Sequence, residues 1–469
     1  MRPAAGVPPA GKGPAFDGEV AVVGLARSGR AAARVLATRD VAVYASDGGS
    51  GAALEAVAKE LAALGASVEV GRHDLARIAR ASLVVASPGV PPTAPPIRAA
   101  LDAGIPVVGE VEIALRLLPA LRYIAITGTN GKTTTTALAG AMLEALGCDA
   151  ATVGNIGMPV IELALEADPR EWAAIELSSF QLHDTPSVAP VVGVLTNLSP
   201  NHLDRYDSVE AYYGDKQRLF RNATLASTWV ANQDDPAVRA MLDGVAGGQH
   251  WFSLDGEADA WYDRSNDQLV VLGDPLIARA DLPMLGDHNV ANALTAALAV
   301  MLADERHRTA PARERIAGVL RTAAPLAHRN EPVAETGGVA WINDSKSTNI
   351  ASTLVALRGM TRPTVLLLGG RHKGEPYTDL VPELQRTVRH VVAYGEAAGL
   401  IAGDLEGAVP VEVMRGGFDA AVERARTLAS PGDAVLLSPA CSSYDMFANY
   451  EERGAAFRQL ARRVTAVER

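Results

Sequence analysis

Ile124-Ala125-Ile126-Thr127-Gly128-Thr129-Asn130-Gly131-Lys132-Thr133-Thr134 decides the architecture of the middle of this chain. Tyr123 to Ile126 is an apolar run of strand character. Gly128 to Lys132 is a glycine-containing turn. Thr133 to Leu146 has helical periodicity, with Leu138, Met142, Leu143 and Leu146 on one face and Gly147 as a stop. A strand running through such a turn into a helix makes an anion cradle, because the turn amides and the first N–H groups of the helix converge. Lys132 would reach the β- and γ-phosphates of a nucleotide, and the Thr133 hydroxyl would coordinate Mg2+. The general phosphate-loop pattern has another glycine five residues before Gly131. Ile126 stands there instead, so the loop is a shortened one. The competing reading is a plain strand–turn–helix with an incidental Gly-Lys-Thr.

Outward from this loop, strand candidates alternate with helical segments. Toward the N-terminus stand Glu19–Val23, Val41–Tyr44, Val68–Val70, Leu83–Ala86 and Val107–Val108, with helical stretches at Ser28–Leu36 and Leu54–Leu64. Toward the C-terminus come Ala173–Ile175, Val191–Leu195, an apolar helix over Asn292–Met301, then Val339–Ile342, Val365–Leu368, Val391–Ala393 and Ala434–Leu437. This alternation predicts an α/β fold with parallel, wound sheets. At roughly 100–200 residues per domain, 469 residues correspond to two to four domains. The pattern divides into three, over 18–110, 111–326 and 327–469, behind a Pro-, Gly- and Ala-rich tail over 1–17 that reads as mobile.

With 48% hydrophobic and 21% charged residues, the chain can build real cores. Its formal charge of −11 argues against a broad nucleic-acid surface, which needs a basic footprint. Two cysteines, Cys148 and Cys441, make no disulfide framework and fit a reducing compartment. No stretch reaches the ~18–20 uninterrupted apolar residues of a membrane helix. The N-terminal segment has no apolar signal-peptide core. A cytoplasmic protein without membrane insertion is expected.

Further candidates sit where strands end. Ser87-Pro88-Gly89-Val90-Pro91-Pro92 is a rigid turn at a strand's carboxyl end, the edge where ligands collect in open α/β sheets. Gly24-Leu25-Ala26-Arg27-Ser28-Gly29 carries Ala26 where a dinucleotide motif has its middle glycine, and Asp47 lies near the distance of a ribose-binding carboxylate. That combination suggests a nucleoside-diphosphate site rather than an NAD site, with a purely structural turn as the alternative. Glu176 follows the strand at Ala173–Ile175 and could bind Mg2+, which favours one or two carboxylates plus waters. His202, in the segment after the next strand, is a candidate second ligand. Lys216, by pattern alone, is a surface helix lysine.

Together, Thr127–Thr134, Gly154-Asn155-Ile156-Gly157, Glu176-Leu177-Ser178-Ser179-Phe180-Gln181 and His202-Leu203-Asp204-Arg205-Tyr206 resemble the Mur ligases, the ATP-dependent amide ligases of peptidoglycan precursor synthesis. Gly286-Asp287-His288-Asn289-Val290-Ala291-Asn292 and His328-Arg329 continue the resemblance, which runs from about residue 20 to about residue 460. Asn343-Asp344-Ser345-Lys346-Ser347-Thr348-Asn349, Leu437–Phe447 and Arg453-Gly454 look like the D-glutamate-adding branch of the family.

The resemblance implies three domains: a Rossmann-like UDP-binding one, a central P-loop ATPase-type one, and a Rossmann-like C-terminal one for the amino acid. It implies that Gly128, Thr129, Asn130, Gly131, Lys132, Thr133 and Thr134 hold ATP, with Asn292, Arg329 and Asp344 contacting it from elsewhere. Glu176, His202 and a carbamylated Lys216, with Thr133, would ligate Mg2+, two ions in all. Asn155 and Ser178 would face the reacting carboxylate of UDP-MurNAc-L-Ala, and Ala26, Arg27, Asp47, Ser87, Pro88 and Gly89 its UDP end. Lys346, Thr348, Lys373, Ser443 and Tyr450 would hold D-glutamate. The expected assembly is a monomer.

Four places depart from the family pattern. Tyr450 replaces a Phe, Ala327 a Pro, Asn330 an aromatic or hydrophobic residue, and Arg371-His372 an acidic residue and Gly. The chemistry fits the residues independently. Forming an amide from a carboxylate through an acyl phosphate crowds negative charge into one place, and Lys132, Mg2+ and Lys346 would be the countercharges. The competing readings are a related ligase for another amino acid, as in folylpolyglutamate synthesis, and a P-loop kinase that makes no amide.

Overall fold

Strands built from Val, Ile, Leu and Ala that are buried on both faces belong to sheets covered by helices on each side. Three such sheets follow one another in the computed structural model, which describes residues 16–201, 205–324 and 327–463. The expected tail therefore lies almost wholly outside the described residues. So do residues 325 and 326, beside the boundary expected near 326.

The first sheet comprises β1 (Val20–Val23), β2 (Val43–Asp47), β3 (Ser67–Val70), β4 (Leu83–Ala86) and β5 (Val107–Val108) in the order β3-β2-β1-β4-β5, all parallel. The order reverses between β1 and β4, which opens a crevice at their carboxyl ends. The helix Arg27–Ala37 starts there, and Gly29 lets it sit against the preceding turn: a Cβ on Gly29 would stand 1.8 Å from the Gly24 carbonyl oxygen.

The central sheet contains β6 (Arg122–Thr127), β7 (Ala150–Gly154), β8 (Trp172–Glu176), β9 (Val192–Leu195), β10 (Thr228–Asn232), β11 (Gly248–Ser253), β12 (Ala260–Asp263), β13 (Gln268–Val271) and β14 (Asp274–Ala278). Its order is β14-β13-β12-β11-β10-β9-β6-β8-β7. β6, which feeds the phosphate loop, is flanked in parallel by β8 and β9, so the segments after all three strands meet at one edge. The sequence reading has no strand between Leu195 and Asn292, whereas the structure has β10 to β14 there, the last three antiparallel. These strands are four to six residues long and mix Gln, His, Trp and Asp with aliphatics, which hides the period. The helix Asp287–Ala303 is longer than expected at both ends and almost wholly buried, packed against the helix Lys132–Ala145.

The last sheet holds β15 (Glu331–Thr336), β16 (Val339–Asn343), β17 (Thr364–Gly369), β18 (Val388–Tyr394), β19 (Val411–Val413) and β20 (Ala434–Leu437) in the order β15-β16-β20-β17-β18-β19. Only β15 runs antiparallel to its neighbour. Among the described residues, no helix is long and apolar enough to cross a membrane.

Candidate active site

The phosphate loop is shaped by two glycines and by the end of β9. Gly128 has φ +140° and a Cβ there would stand 2.0 Å from Thr196 Oγ1; Gly131 has φ +81° and a Cβ there would meet Asn292 Oδ1 at 2.4 Å. Both positions need glycine. The Asn197 carbonyl accepts the Thr129 amide at 2.9 Å, and the Asn197 side chain accepts the Asn130 amide at 2.9 Å and donates to the Asn130 carbonyl at 3.0 Å. Lys132, first residue of the helix, folds back to donate to the Gly128 and Thr129 carbonyls at 2.9 and 2.8 Å. Burial lowers its pKa, partly opposed by Glu176.

Glu176 ends β8 and is 1% exposed. Its Oε1 accepts the Asn155 side-chain N–H at 2.9 Å, while its buried Oε2 has no hydrogen-bond partner among the described residues. Burial alone would push this carboxyl up, but Lys132, Lys346, Asn155 and Arg329 outweigh it and hold the group below its ordinary value. A buried, ionised carboxylate oxygen without a donor is what a divalent cation would satisfy. Lys216 is 1% exposed, against the pattern reading of a surface lysine. Its Nζ donates to the Gly128 carbonyl at 2.6 Å and lies 4.7 Å from the Tyr212 ring centre. Burial, then the nearby Lys132, push its pKa well below that of an ordinary lysine. His202 lies outside the described residues. Among those described, no group of three or more His, Cys, Asp and Glu side chains gathers as a metal site. Among the described residues, Glu176 and the Thr133 hydroxyl are candidate donors to such a site.

The third sheet brings its own charges to Thr133. Arg329 Nη2 donates to Thr133 Oγ1 at 2.7 Å and Lys346 Nζ at 3.3 Å. Burial, with Arg329 nearby, lowers the Lys346 pKa to about 7. Asp344 is buried, and that raises its pKa to about 6 against the donors Ser347, Ser438 and the Asn330 amide. Asn330 has φ +42°, a left-handed backbone that Asn tolerates better than the bulkier residues expected there. The Lys373 ammonium donates to Thr348 Oγ1 at 3.2 Å, and the Tyr450 ring centre lies 5.1 Å from Lys346 Nζ. Ser443 is buried on the loop after β20.

Other expected residues have structural partners. Asn292 bonds Thr135 and Asn289 beside Gly131. Ser178 caps the helix Ser179–His183 reciprocally with Gln181. Arg27 Nη2 donates to the Asn155 carbonyl at 3.1 Å, joining the first sheet's crevice to the central edge, and Arg205 Nη1 reaches the Pro88 carbonyl at 3.4 Å. Asp47 accepts the Leu25 and Gly49 amides at 2.7 and 2.8 Å. Ser87 is buried beneath the turn that carries Gly89.

The assembled site is therefore one edge, with a phosphate loop, a buried carboxylate, a buried lysine and cations from two domains. The Mur ligase middle domain matches residues 126–300, the MurD-like N-terminal domain residues 18–109, and the Mur ligase glutamate ligase domain residues 328–441. The chain belongs to the Mur ligase family. It is similar to UDP-N-acetylmuramoylalanine–D-glutamate ligases of Anaeromyxobacter dehalogenans, at 43% identity over 94% of this chain and 97% of that protein, and of Acidobacterium capsulatum, at 39% over 94% and 95%. Two Mur-type ligases share the fold: a pseudomurein peptide ligase type C from Methanothermus fervidus (TM-score 0.59, 17% identity, 96% of this chain and 100% of that one), and the UDP-N-acetylmuramate–alanine ligase of Thermotoga maritima (TM-score 0.56, 17%, 96% and 99%).

In this Mur ligase, the residues that hold the site residues were harder to see in sequence. Fully buried Arg453 donates to Ser345 Oγ, the Ser345 carbonyl and the Cys441 carbonyl at 2.9, 2.7 and 3.1 Å, fixing the segment between Asp344 and Lys346. Glu331 accepts the His328 amide at 2.9 Å, the Asn343 side chain at 3.1 Å and a bidentate Arg458, which sets the His328-Arg329-Asn330 turn. Asp215, beside Lys216, bonds His183 and Tyr206 at 2.7 and 2.9 Å. Arg453 stands in a quoted motif; Glu331, Arg458 and Asp215 carry no local signal.

Proposed function

We propose that this Mur ligase joins D-glutamate to UDP-N-acetylmuramoyl-L-alanine, consuming ATP and releasing ADP and phosphate. The observation that carries the reading is the meeting of Arg329 and Lys346, from one domain, with the phosphate-loop Thr133 of another. Relatives named for this reaction, at 38–43% identity over almost the whole chain, support the substrate assignment.

Transfer of the γ-phosphoryl group to the muramoyl-alanine carboxylate would give an acyl phosphate, which the amine of D-glutamate then attacks as phosphate leaves. The residues need only position and neutralise. Lys132 would turn from the loop carbonyls to the phosphates, and the loop amides would cradle them. Arg329 and Lys346 would close over the transferred group from the third domain and exclude the water that would hydrolyse the acyl phosphate. Asn155, beside Glu176, would orient the acceptor carboxylate. Thr133, Glu176, His202 and Lys216 would hold Mg2+, two ions in all, and the metal supplies charge neutralisation on the phosphates.

Burial and the nearby Lys132 favour the neutral amine of Lys216, which sets it up for carbamylation: its lone pair would form the N–C bond with CO2 as a proton leaves, turning a cation's position into an anion's. Lys346, Thr348, Lys373, Ser443 and Tyr450 would hold D-glutamate, with Asn292 and Asp344 on ATP. Ala26, Arg27, Asp47, Ser87, Pro88 and Gly89 would line the UDP end. The two free cysteines fit a reducing cytoplasm. Mass spectrometry of the product from ATP, UDP-MurNAc-L-Ala and D-glutamate tests the reading. The expected product carries one added glutamyl residue, formed only when all three substrates are present; ADP release independent of the amine would overturn it.

A further inference from the structure

The first sheet's crevice lies between the Gly24–Arg27 and Ser87–Gly89 turns, so a diphosphate held there must send its nucleoside over one of two flanks. The β5 flank is closed by the central domain, where the Gly109 amide donates to the Asp184 carbonyl at 2.7 Å. On the β2–β3 flank, Gly48, Gly49, Ser50 and Gly51 are all exposed. Beyond Asp47, the segment Gly48-Gly49-Ser50-Gly51 presents a single side chain, leaving bare backbone on which a flat ring can lie.

His73, on the loop after β3, stands at this flank. Its Nδ1 lies 2.9 Å from the hydroxyl of fully buried Ser46, and its Nε2 lies 3.2 Å from where a Cβ on Gly48 would be. The loop itself is tied down, because the Gly71 amide donates to both the Asp47 and Gly49 carbonyls at 2.8 Å. The ring is thus fixed beside the glycine floor and half-exposed. Burial lowers its pKa against the pull of Asp47 and Glu69, so it is neutral near pH 7, with one nitrogen as donor and the other as acceptor.

We propose that His73 reads the base of the UDP substrate: Ser46 donates to Nδ1, which leaves Nε2–H to donate to O4 of uracil. Cytosine has an amino group at that position, a second donor facing the first, so the contact would select uridine over cytidine. The inference rests on the reading of the first domain as the UDP site and adds a specificity-determining residue to it.

Calorimetric titration of UDP and CDP into the full chain tests it, with His73→Ala and His73→Asn as variants and thermal melting to establish that both fold. The wild type should prefer UDP. His73→Ala should weaken UDP by about three- to tenfold, the effect of one hydrogen bond, and leave CDP nearly unchanged. His73→Asn, which keeps an N–H donor, should retain part of the preference. In turnover, His73→Ala should raise KM for UDP-MurNAc-L-Ala and leave kcat and KM for ATP unchanged. Unaltered UDP binding in His73→Ala, or an equal loss for UDP and CDP, would overturn the role of His73 while the ligase reading stands. Failure of the wild type to bind UDP or to use the UDP-sugar would overturn both.

Discussion

Arg329 Nη2 and Thr133 Oγ1 lie 2.7 Å apart although 196 positions separate the two residues in sequence. The contact puts a cation of the third domain on the residue that follows the phosphate-loop lysine. Arg329→Ala should reduce kcat by about 10²-fold or more, the usual cost of a lost transition-state contact. Arg329→Lys should recover little, because an ammonium cannot reproduce the guanidinium fork. Steady-state turnover of the two variants checks this, and near-normal kcat in Arg329→Ala would mean that the contact plays no part in the reaction.

Lys132 is the phosphate loop's own cation, and it donates to the Gly128 and Thr129 carbonyls. Lys132→Ala should abolish acyl-phosphate formation. Trapping the intermediate by borohydride reduction should give no reduced product from the variant. A wild-type rate of ADP production would remove Lys132 from the ATP site.

Lys216 cannot remain a protonated lysine at little cost, with 1% exposure and Lys132 nearby. If it works as a carbamate, Lys216→Ala should be nearly inactive and partly restored by acetate, which brings a carboxylate back to the space. Carbon-13 spectroscopy of the wild type with labelled bicarbonate should show a carbamate signal that the variant lacks. Full activity of Lys216→Ala would end the assignment.

The contrast between Lys132 and Lys216 shows what was legible in sequence. The place of Lys132 was readable because it comes from the turn that holds it, a local pattern. Lys216 sits in Tyr213-Gly214-Asp215-Lys216-Gln217, which locally describes an exposed helix, and its burial comes from Gly128 and Tyr212 reaching it in three dimensions. Only likeness to a family singled it out. The same logic divides the fold. The parallel strands with continuous apolar runs, such as β4 and β20, were visible, whereas β10 to β14 were not, because these short strands mix polar residues with aliphatics. Arg453 and Glu331 act through partners about 100 residues away or on another element, a relation that spacing cannot encode.

Glu110 gives a pH prediction away from the chemistry. It is 1% exposed, its Oε2 accepts the Ile161 amide at 3.1 Å, and burial raises its pKa from 4.5 to about 7. The folded chain therefore keeps a proton that the unfolded chain has released between about pH 4.5 and 7. The associated stability is fully present below that window, falls as pH rises through it, and is gone above it. Glu110→Gln keeps an acceptor for Ile161 and cannot ionise. Its melting midpoint should match the wild type near pH 4.5 and exceed it by a few degrees at pH 8, reflecting up to about 3 kcal/mol. Equal midpoints at pH 8 would show that Glu110 ionises in the fold without cost.

Lys373 and Lys346 are both cations of the third domain, but they face different neighbours, and the amino-acid assignment depends on that difference. Lys373 Nζ, on the loop after β17, donates to Thr348 Oγ1 on the segment after β16 at 3.2 Å, whereas Lys346 Nζ reaches Thr133 of the phosphate loop at 3.3 Å. D-glutamate brings two carboxylates and one attacking amine, so its pocket needs cations that bind the carboxylates without protonating the amine. Charge-assisted bonds of this kind are about twice as strong as neutral ones. Lys373→Ala should therefore raise KM for D-glutamate strongly while leaving kcat and KM for ATP little changed, the signature of lost uniform binding. Lys346→Ala should lower kcat as well, because Lys346 touches the same hydroxyl as Arg329, where the proposed reaction would develop charge on the transferred phosphoryl group. The check is steady-state kinetics with each substrate varied in turn. If Lys373→Ala weakens ATP and D-glutamate equally, the two lysines share one role and the third domain is a phosphate clamp rather than an amino-acid pocket. If it changes neither, D-glutamate binds elsewhere and the choice of amino acid loses its physical basis in this domain.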